Sequence, residues 1–157
     1  MRVARVTLSD RASAGLYADR SGPEIERILQ ESGFPVTEWI RVVMPDDQES
    51  IEALLRRLAD QDQIRLILTT GGTGPAPRDV TPEATLAVLD RELPGFGEVM
   101  RIQSFALVPT AILSRATAGT RGKSLIINLP GNPKAVTECL PMLMPAIQEA
   151  LKHLDGE

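Results

Sequence analysis

The sequence has 157 residues and a formal net charge of −4, a size that buries a full core within one domain over residues 1–157. Its single cysteine excludes an intramolecular disulfide framework, and a start without the apolar run of a signal peptide predicts a cytoplasmic protein. No stretch approaches the roughly 20 apolar residues that cross a membrane, and an acidic chain with one Trp, one Tyr and three Phe argues against nucleic acid as a partner.

Strand and helix patterns alternate along the first half of the chain. Residues 3–8 are predicted to form a strand, and a polar loop leads to Ser21-Gly22-Pro23-Glu24, which has the spacing of a capping box. A second strand is predicted over residues 36–43. Asp46 and Asp47 follow it and open a helix that has apolar residues on one face.

The same alternation continues in the second half. Residues 64–69 are nearly all apolar, as expected of a central parallel strand covered on both sides. Thr81 is predicted to cap the next helix, with Pro82 at its first position. A helix over 95–107, a strand over 125–128 and a helix after Pro133, which Pro141 and Pro145 should kink or interrupt, complete the pattern. We therefore predict an α/β three-layer sandwich around a mainly parallel sheet.

A glycine-rich turn within residues 68–79 carries most of the functional information. Such a turn lets the backbone approach a ligand and points several N–H groups inward, a geometry that cradles anionic oxygens. The turn is not a Walker loop, because Pro75 follows Gly74, and not a dinucleotide loop, because Pro77 stands at the third glycine. A second candidate, Gly122-Lys123-Ser124, is predicted to be a strand entrance. We predict an anionic, phosphorylated ligand at Thr70, Gly71, Gly72, Thr73 and Gly74.

Four polar loops follow the predicted strands. In open α/β sheets ligands bind beyond the carboxyl ends of the strands. The loops are therefore expected to meet at one edge of the sheet, and they comprise Ser9-Asp10, residues 44–47, residues 70–79 and residues 128–132.

Three aspartates lie in these loops. One helix cap cannot need both Asp46 and Asp47, and either Asp47 with Ser50 or Asp46 with Glu49 could form it. Asp79 has no capping duty, because the next helix has its own predicted cap. A lone carboxylate beside a phosphate loop repels its ligand, whereas Mg²⁺ favours one or two carboxylates plus phosphate oxygens. Whichever of Asp46 and Asp47 is not the cap could thus form a metal bridge to a nucleotide together with Asp79.

The remaining candidate side chains are more ordinary. Cys139 lies among apolar residues and is predicted to be a buried structural thiol, and His153 is predicted to be exposed. Several arginines lie in the converging loops and could pair with phosphate, although each is more often a solvated surface residue: Arg11, Arg20, Arg78, Arg115 and Arg121.

The glycine-rich turn resembles a known family. The run Ile67–Gly74, Asp79 five residues later, and Val80–Thr85 match the pattern of the proteins that adenylylate molybdopterin in molybdenum cofactor biosynthesis: the MogA/MoaB-type proteins and the G domains of gephyrin and its plant counterpart. The resemblance covers essentially the whole chain and implies the MogA-like fold. It extends to residues 8–11 with 19–23, 44–47, 113–115 and 128–133.

The resemblance implies a reaction and a set of site residues. Molybdopterin and ATP would give adenylyl-molybdopterin and pyrophosphate, with Mg²⁺ accompanying ATP as co-substrate and no permanently bound cofactor. It implies Asp46 and Asp79 as catalytic residues and Mg²⁺ ligands, a homotrimer, and the molybdenum-insertion protein of the same pathway as a partner. The substrate-binding residues that it implies are Ser9, Asp10, Thr70, Gly71, Gly72, Thr73, Gly74, Arg78, Ser104, Ser114, Pro130, Gly131 and Asn132.

Two alternatives stay open at this point. One is insertion of metal into the adenylylated pterin, a step performed by related proteins that carry extra domains. The other is a non-catalytic molybdopterin carrier or trimeric scaffold, which ATP-dependent release of pyrophosphate would distinguish from an enzyme.

Overall fold

One mixed sheet forms the centre of the computed structural model, which describes all residues, 1–157. Its six strands lie in the order β2-β1-β3-β6-β5-β4. The strands β2, β1, β3 and β6 are parallel, whereas β5 pairs antiparallel with β6 and β4 with β5. The bounds are β1 Arg2–Leu8, β2 Glu38–Met44, β3 Leu66–Thr70, β4 Arg91–Glu92, β5 Ala118–Arg121 and β6 Ser124–Leu129.

Helices connect the strands and cover both faces of the sheet. The α-helices are α1 Asp10–Ser13, α2 Ser21–Glu31, α3 Gln48–Arg56, α4 Thr81–Val88, α5 Gly95–Phe105 and α6 Pro133–Asp155. A π-helical turn, Arg57–Gln61, continues α3, and a 3₁₀ helix, Pro109–Leu113, follows α5. None of the helices combines the length and the apolar character that a membrane crossing requires.

The core consists of two apolar clusters, one on each face of the sheet. Along β3, Leu66 and Leu68 pack with α2, α5 and α6, whereas Ile67 packs with α3 and α4 on the other face. This alternation follows from the period of two along a strand, and each fully buried aliphatic side chain contributes roughly 1.5–3 kcal/mol. The predicted three-layer α/β sandwich with a mainly parallel sheet is confirmed.

Two predicted helix caps are wrong, and for the same reason. Ser21 and Thr81 are the first residues of α2 and α4, and neither hydroxyl caps its own helix, so that Pro82 stands second in α4. The Ser21 hydroxyl donates to the carbonyl of Gly131 at 2.6 Å, and the Thr81 hydroxyl donates to that of Gly71 at 2.9 Å. Both side chains hold loops at the carboxyl edge of the sheet.

Of the two outcomes predicted for the last helix, a kink or an interruption, the interruption is wrong. Helix α6 runs unbroken over 23 residues through Pro141 and Pro145. Both prolines lie on its exposed side, where water can hydrate the carbonyls that lose their helical partners. By contrast, Gly122-Lys123-Ser124 is a strand entrance as predicted, because Gly122 forms the turn between β5 and β6.

Candidate functional site

The loops that follow β1, β2, β3 and β6 meet at one edge of the sheet, around a cavity of about 820 Å³. This is the arrangement expected where parallel strands end together. The structure brings together many of the residues singled out in the sequence, since the cavity is lined by Ser9, Asp10, Asp46, Thr70, Gly71, Gly72, Arg78, Asp79 and Gly131.

Two of these loops are joined by a reciprocal pair of hydrogen bonds. The Asp10 N–H donates to Oδ2 of Asp46 at 3.1 Å, and the Asp46 N–H donates to Oδ1 of Asp10 at 3.0 Å. Arg78 donates to both carboxylate oxygens of Asp10, each at 2.9 Å. These Arg78 hydrogen bonds and the Asp46 N–H lower the pKa of Asp10. The carboxylate of Asp10 is therefore already partnered, and it orients Asp46 and Arg78.

Asp46 is the exceptional side chain of the site. Its Oδ1 is buried and has no hydrogen-bond partner, the one such side-chain atom in the chain. Burial raises the pKa of Asp46, the N–H of Asp10 opposes this, and the neighbouring carboxylates of Asp10 and Asp79 raise it further. Because buried polar atoms are normally paired, this oxygen marks a position where a cation or a ligand donor would be stabilised.

Asp47, next to it, has an ordinary structural role. Its carboxylate accepts from the Ser50 N–H at 3.0 Å and from the Ser50 hydroxyl, so that it caps α3. These hydrogen bonds lower the pKa of Asp47. The structure thereby decides between the two caps that the sequence left open and leaves Asp46 free of that duty.

Asp79 closes the glycine-rich loop on itself. Its Oδ2 accepts from the Ala76 N–H at 3.1 Å, and a Cβ on Gly74 would lie 2.8 Å from the same oxygen. The side chain also lines the cavity. Asp79 thus has a structural contact that the sequence did not reveal, although it caps no helix.

Of the four backbone N–H groups from Gly71 to Gly74, three are free to donate to a ligand. The Gly71 N–H donates to the Leu129 carbonyl at 3.2 Å, whereas the N–H groups of Gly72, Thr73 and Gly74 have no acceptor within the chain. Gly71 and Gly72 have φ values of +96° and +66°, which glycine adopts without strain.

Arg115 holds the far side of this loop. Its N–H donates to the Thr73 carbonyl at 2.8 Å, and its guanidinium donates to the carbonyls of Gly74 at 2.9 Å and Asp79 at 2.8 Å. The loop carbonyls are occupied from outside, so that the arginine acts as a structural brace. Thr70 is buried as well, with its hydroxyl donating to the carbonyl of Pro130.

Several predicted residues lie in a second, smaller cavity. It measures about 220 Å³, lies between α5, the 3₁₀ helix and the start of α6, and is lined by Ser104, Ser114, Pro130 and Asn132. The Ser104 hydroxyl lies 3.3 Å from Sγ of Cys139, whose pKa burial raises, and Asn132 caps α6. Thr73 and Gly74 line neither cavity. The predicted binding residues are therefore divided between the two cavities, except for these two.

The loop between α1 and α2 adds residues to the larger cavity. Arg20 in this loop and Arg11 in α1 line it and form no ion pair, whereas Arg121 pairs with Asp60 away from the site. Tyr17 also lines it, although the sequence patterns do not single it out. The signal that could have found it is a single aromatic residue in the segment that joins the first strand to α2.

Comparison with known proteins gives a consistent set of relatives. The family model described as "Probable molybdopterin binding domain" matches residues 4–149. The chain is 52% identical over 142 residues to the molybdopterin adenylyltransferase of Helicobacter pylori strain 26695, covering 90% of this chain and 81% of that protein. It is 48% identical over 153 residues to the molybdopterin adenylyltransferase of Escherichia coli K12, covering 98% and 78%.

Solved structures agree with these relatives. The molybdopterin biosynthesis enzyme MoaB of Thermus thermophilus superposes with a TM-score of 0.89 at 44% identity, over 99% of this chain and 97% of that one. A MogA structure superposes with a TM-score of 0.87 at 38% identity, over 98% and 99%.

Proposed function

Because the chain belongs to the family of molybdopterin-binding domains, we propose that it acts as a molybdopterin adenylyltransferase in molybdenum cofactor biosynthesis, with ATP as the nucleotide. It is then a nucleotidyltransferase. The observation that carries the proposal beyond the similarity is the unpaired, buried Oδ1 of Asp46 in a cavity that also holds Asp79 and a glycine-rich loop with free N–H groups.

The reaction joins two polyanions. An oxygen of the terminal phosphate of molybdopterin attacks the α-phosphorus of ATP, a new P–O bond forms, and the bond from the α-phosphorus to the bridging oxygen breaks to release pyrophosphate. A phosphate monoester has a second pKa near 6 and is mostly ionised at neutral pH. The nucleophile therefore needs no strong base, which suits a cavity lined by neither histidine nor cysteine.

The acidic residues fit a divalent cation shared with phosphate. No group of three or more His, Cys, Asp or Glu side chains is arranged to hold a metal by itself. Mg²⁺ typically takes one or two carboxylates and completes its shell with water and phosphate oxygens. Asp46, through its unpaired Oδ1, and Asp79 would hold it. When bound, it would neutralise the phosphate charge that these carboxylates otherwise repel.

The remaining positive potential comes from the chain itself. Of the free N–H groups in the glycine-rich loop, that of Gly72 lies in a residue that lines the cavity and can donate to a phosphate oxygen, as backbone nests do. Arg11 and Arg20 line the same cavity without a carboxylate partner. Positioning and charge neutralisation are the main protein contributions to phosphoryl transfer, so these donors supply what the reaction requires.

We extend the proposal to assembly and location. An apolar surface formed by Ile102, Phe105, Leu107, Val108, Ile112 and Leu113 is exposed on α5 and the segment after it. Exposed apolar patches of this kind commonly mark protein contacts, which supports self-association and accords with the proposed homotrimer. The molybdenum-insertion protein as partner and a cytoplasmic location belong to the same proposal.

A direct assay tests the proposed activity. Purified protein, ATP, Mg²⁺ and molybdopterin should release pyrophosphate and form adenylyl-molybdopterin in equal amounts. Omission of molybdopterin is the control, since release should then stop. Binding of molybdopterin without any pyrophosphate would contradict the proposal and favour a carrier.

A further inference from the structure

The larger cavity has a chemical composition that a phosphate group alone does not explain. Most of its lining residues are polar or charged, and Tyr17 is the one aromatic side chain among them. The other aromatic residues lie elsewhere: Phe34 and Phe96 are buried in the core, Trp39 packs against it, and Phe105 is on α5.

The Tyr17 side chain is both exposed and fixed. About 52% of the residue is accessible to solvent, yet its hydroxyl lies 2.8 Å from the hydroxyl of Ser9. Ser9 in turn accepts from the Ala12 N–H at 3.1 Å, and the Leu16 N–H donates to the Arg11 carbonyl at 2.9 Å. The ring is therefore held at its hydroxyl, and the residue before it is held by a backbone hydrogen bond, while much of the Tyr17 surface stays open.

The anchor of Tyr17 leads directly to the phosphate side of the cavity. Ser9 precedes Asp10, whose backbone and carboxylate exchange hydrogen bonds with Asp46. A nucleotide whose phosphates lie against Asp46 and Gly72 has to put its base elsewhere in the same cavity. Charged side chains contribute little to the binding of a flat base, whereas stacking on an aromatic ring typically strengthens it.

We propose that Tyr17 is a nucleotide-binding residue whose ring stacks against the adenine of ATP, an assignment that rests on the function proposed above. The shared chemistry is that of a flat fused heterocycle, which molybdopterin also has. Adenine is favoured because the triphosphate that it carries matches the donors and carboxylates of this cavity.

The test separates base from phosphate. Affinities for Mg-ATP, for Mg-tripolyphosphate, which has no base, and for molybdopterin are measured by calorimetry for the wild type, Tyr17→Phe and Tyr17→Leu. The oligomer mass of each protein is measured by light scattering. We expect Tyr17→Leu to bind ATP about tenfold more weakly and tripolyphosphate as well as the wild type does. Tyr17→Phe keeps the ring, loses only the hydroxyl contact with Ser9, and should stay within about threefold of the wild type for ATP.

A spectroscopic readout checks the contact itself. Tyr17 is the only tyrosine, so ring-labelled protein gives one set of tyrosine ring signals in NMR spectra. These signals should move upfield with ATP, through the ring current of the base, and stay in place with tripolyphosphate.

Several results would overturn the assignment. Equal weakening of ATP and tripolyphosphate in Tyr17→Leu would mean that the residue only shapes the loop, and weakening of molybdopterin alone would assign the ring to the pterin. A changed oligomer mass with unchanged ATP affinity would make Tyr17 an interface residue. Failure of the wild type to bind either ligand would overturn the proposed function along with this one, whereas normal wild-type binding with an unaffected Tyr17→Leu variant would overturn this one alone.

Discussion

Gly72→Ala tests whether the glycine-rich loop is built around the Asp46 carboxylate. Gly72 has a φ of +66°, and a Cβ there would lie 2.3 Å from Oγ1 of Thr81 and 3.0 Å from Oδ1 of Asp46. A left-handed backbone costs a non-glycine residue about 1–2 kcal/mol. Displacing the Thr81 hydroxyl also breaks its bond to Gly71, worth about 1 kcal/mol. We expect the free energy of unfolding to fall by about 2–3 kcal/mol.

The matched control is Gly122→Ala. Gly122 has a φ of +54°, but a Cβ there would meet nothing within 4 Å, and the residue lies in the β5–β6 turn away from the cavity. Its free energy of unfolding should fall by about 1–2 kcal/mol from backbone strain alone. Affinity for Mg-ATP should stay unchanged, whereas Gly72→Ala should weaken it because the Asp46 carboxylate has to shift.

A double substitution isolates the contact with Thr81. Removing the hydroxyl in Gly72→Ala/Thr81→Ala leaves the Thr81 Cβ at an ordinary 3.4 Å, so Thr81→Ala should destabilise the Gly72→Ala background less than the wild type. Urea denaturation measures stability and calorimetry measures Mg-ATP affinity. The reasoning is refuted if Gly72→Ala is as mild as Gly122→Ala and retains full affinity.

Three further predictions concern the aspartates. Asp79→Asn should abolish pyrophosphate release while circular dichroism shows an intact fold, since the amide oxygen can still accept from Ala76; wild-type turnover would refute its role. Asp46→Ala should depress turnover far more than Asp47→Ala, which removes only the cap that Ser50 completes, and equal losses would count against the assignment. Without Mg²⁺, Asp46→Asn should be at least as stable as the wild type at neutral pH, because burial raises the pKa of Asp46 and its ionised form opposes folding. That advantage should vanish below the usual pKa of aspartate, where the Asp46 side chain is uncharged in both the folded and the unfolded state. Urea denaturation across pH measures it, and a stability difference that does not change with pH would contradict the prediction.

The central strands could be predicted because strands buried on both faces of a sheet consist of nearly continuous apolar residues. The apolar run that ends in β3 is buried on both faces, and Leu125 to Ile127 in β6 are likewise fully buried. The site edge follows from the same strands, because parallel strands bring their carboxyl ends together. By contrast, the two residues of β4, Arg91–Glu92, are exposed and have no apolar pattern from which a strand could be inferred.

The errors about the two helix caps come from tertiary contacts. Ser21 and Thr81 have the local chemistry of caps, but their hydroxyls pair with the carbonyls of Gly131 and Gly71, which only the fold brings near. Asp47 rather than Asp46 caps α3, and Asp46 instead exchanges hydrogen bonds with Asp10 in the loop after β1. The sequence does not single out Tyr17, because the cavity that it lines exists only in the tertiary structure.

The most direct test of the account is the magnesium dependence of ATP binding at the two carboxylates. Calorimetry should find that the wild type binds ATP weakly in EDTA and more tightly with Mg²⁺, because Asp46 and Asp79 repel a triphosphate unless a divalent cation intervenes. Replacing both aspartates with asparagine should reduce this dependence and abolish pyrophosphate release. ATP affinity in the wild type that does not change with Mg²⁺ would contradict the account.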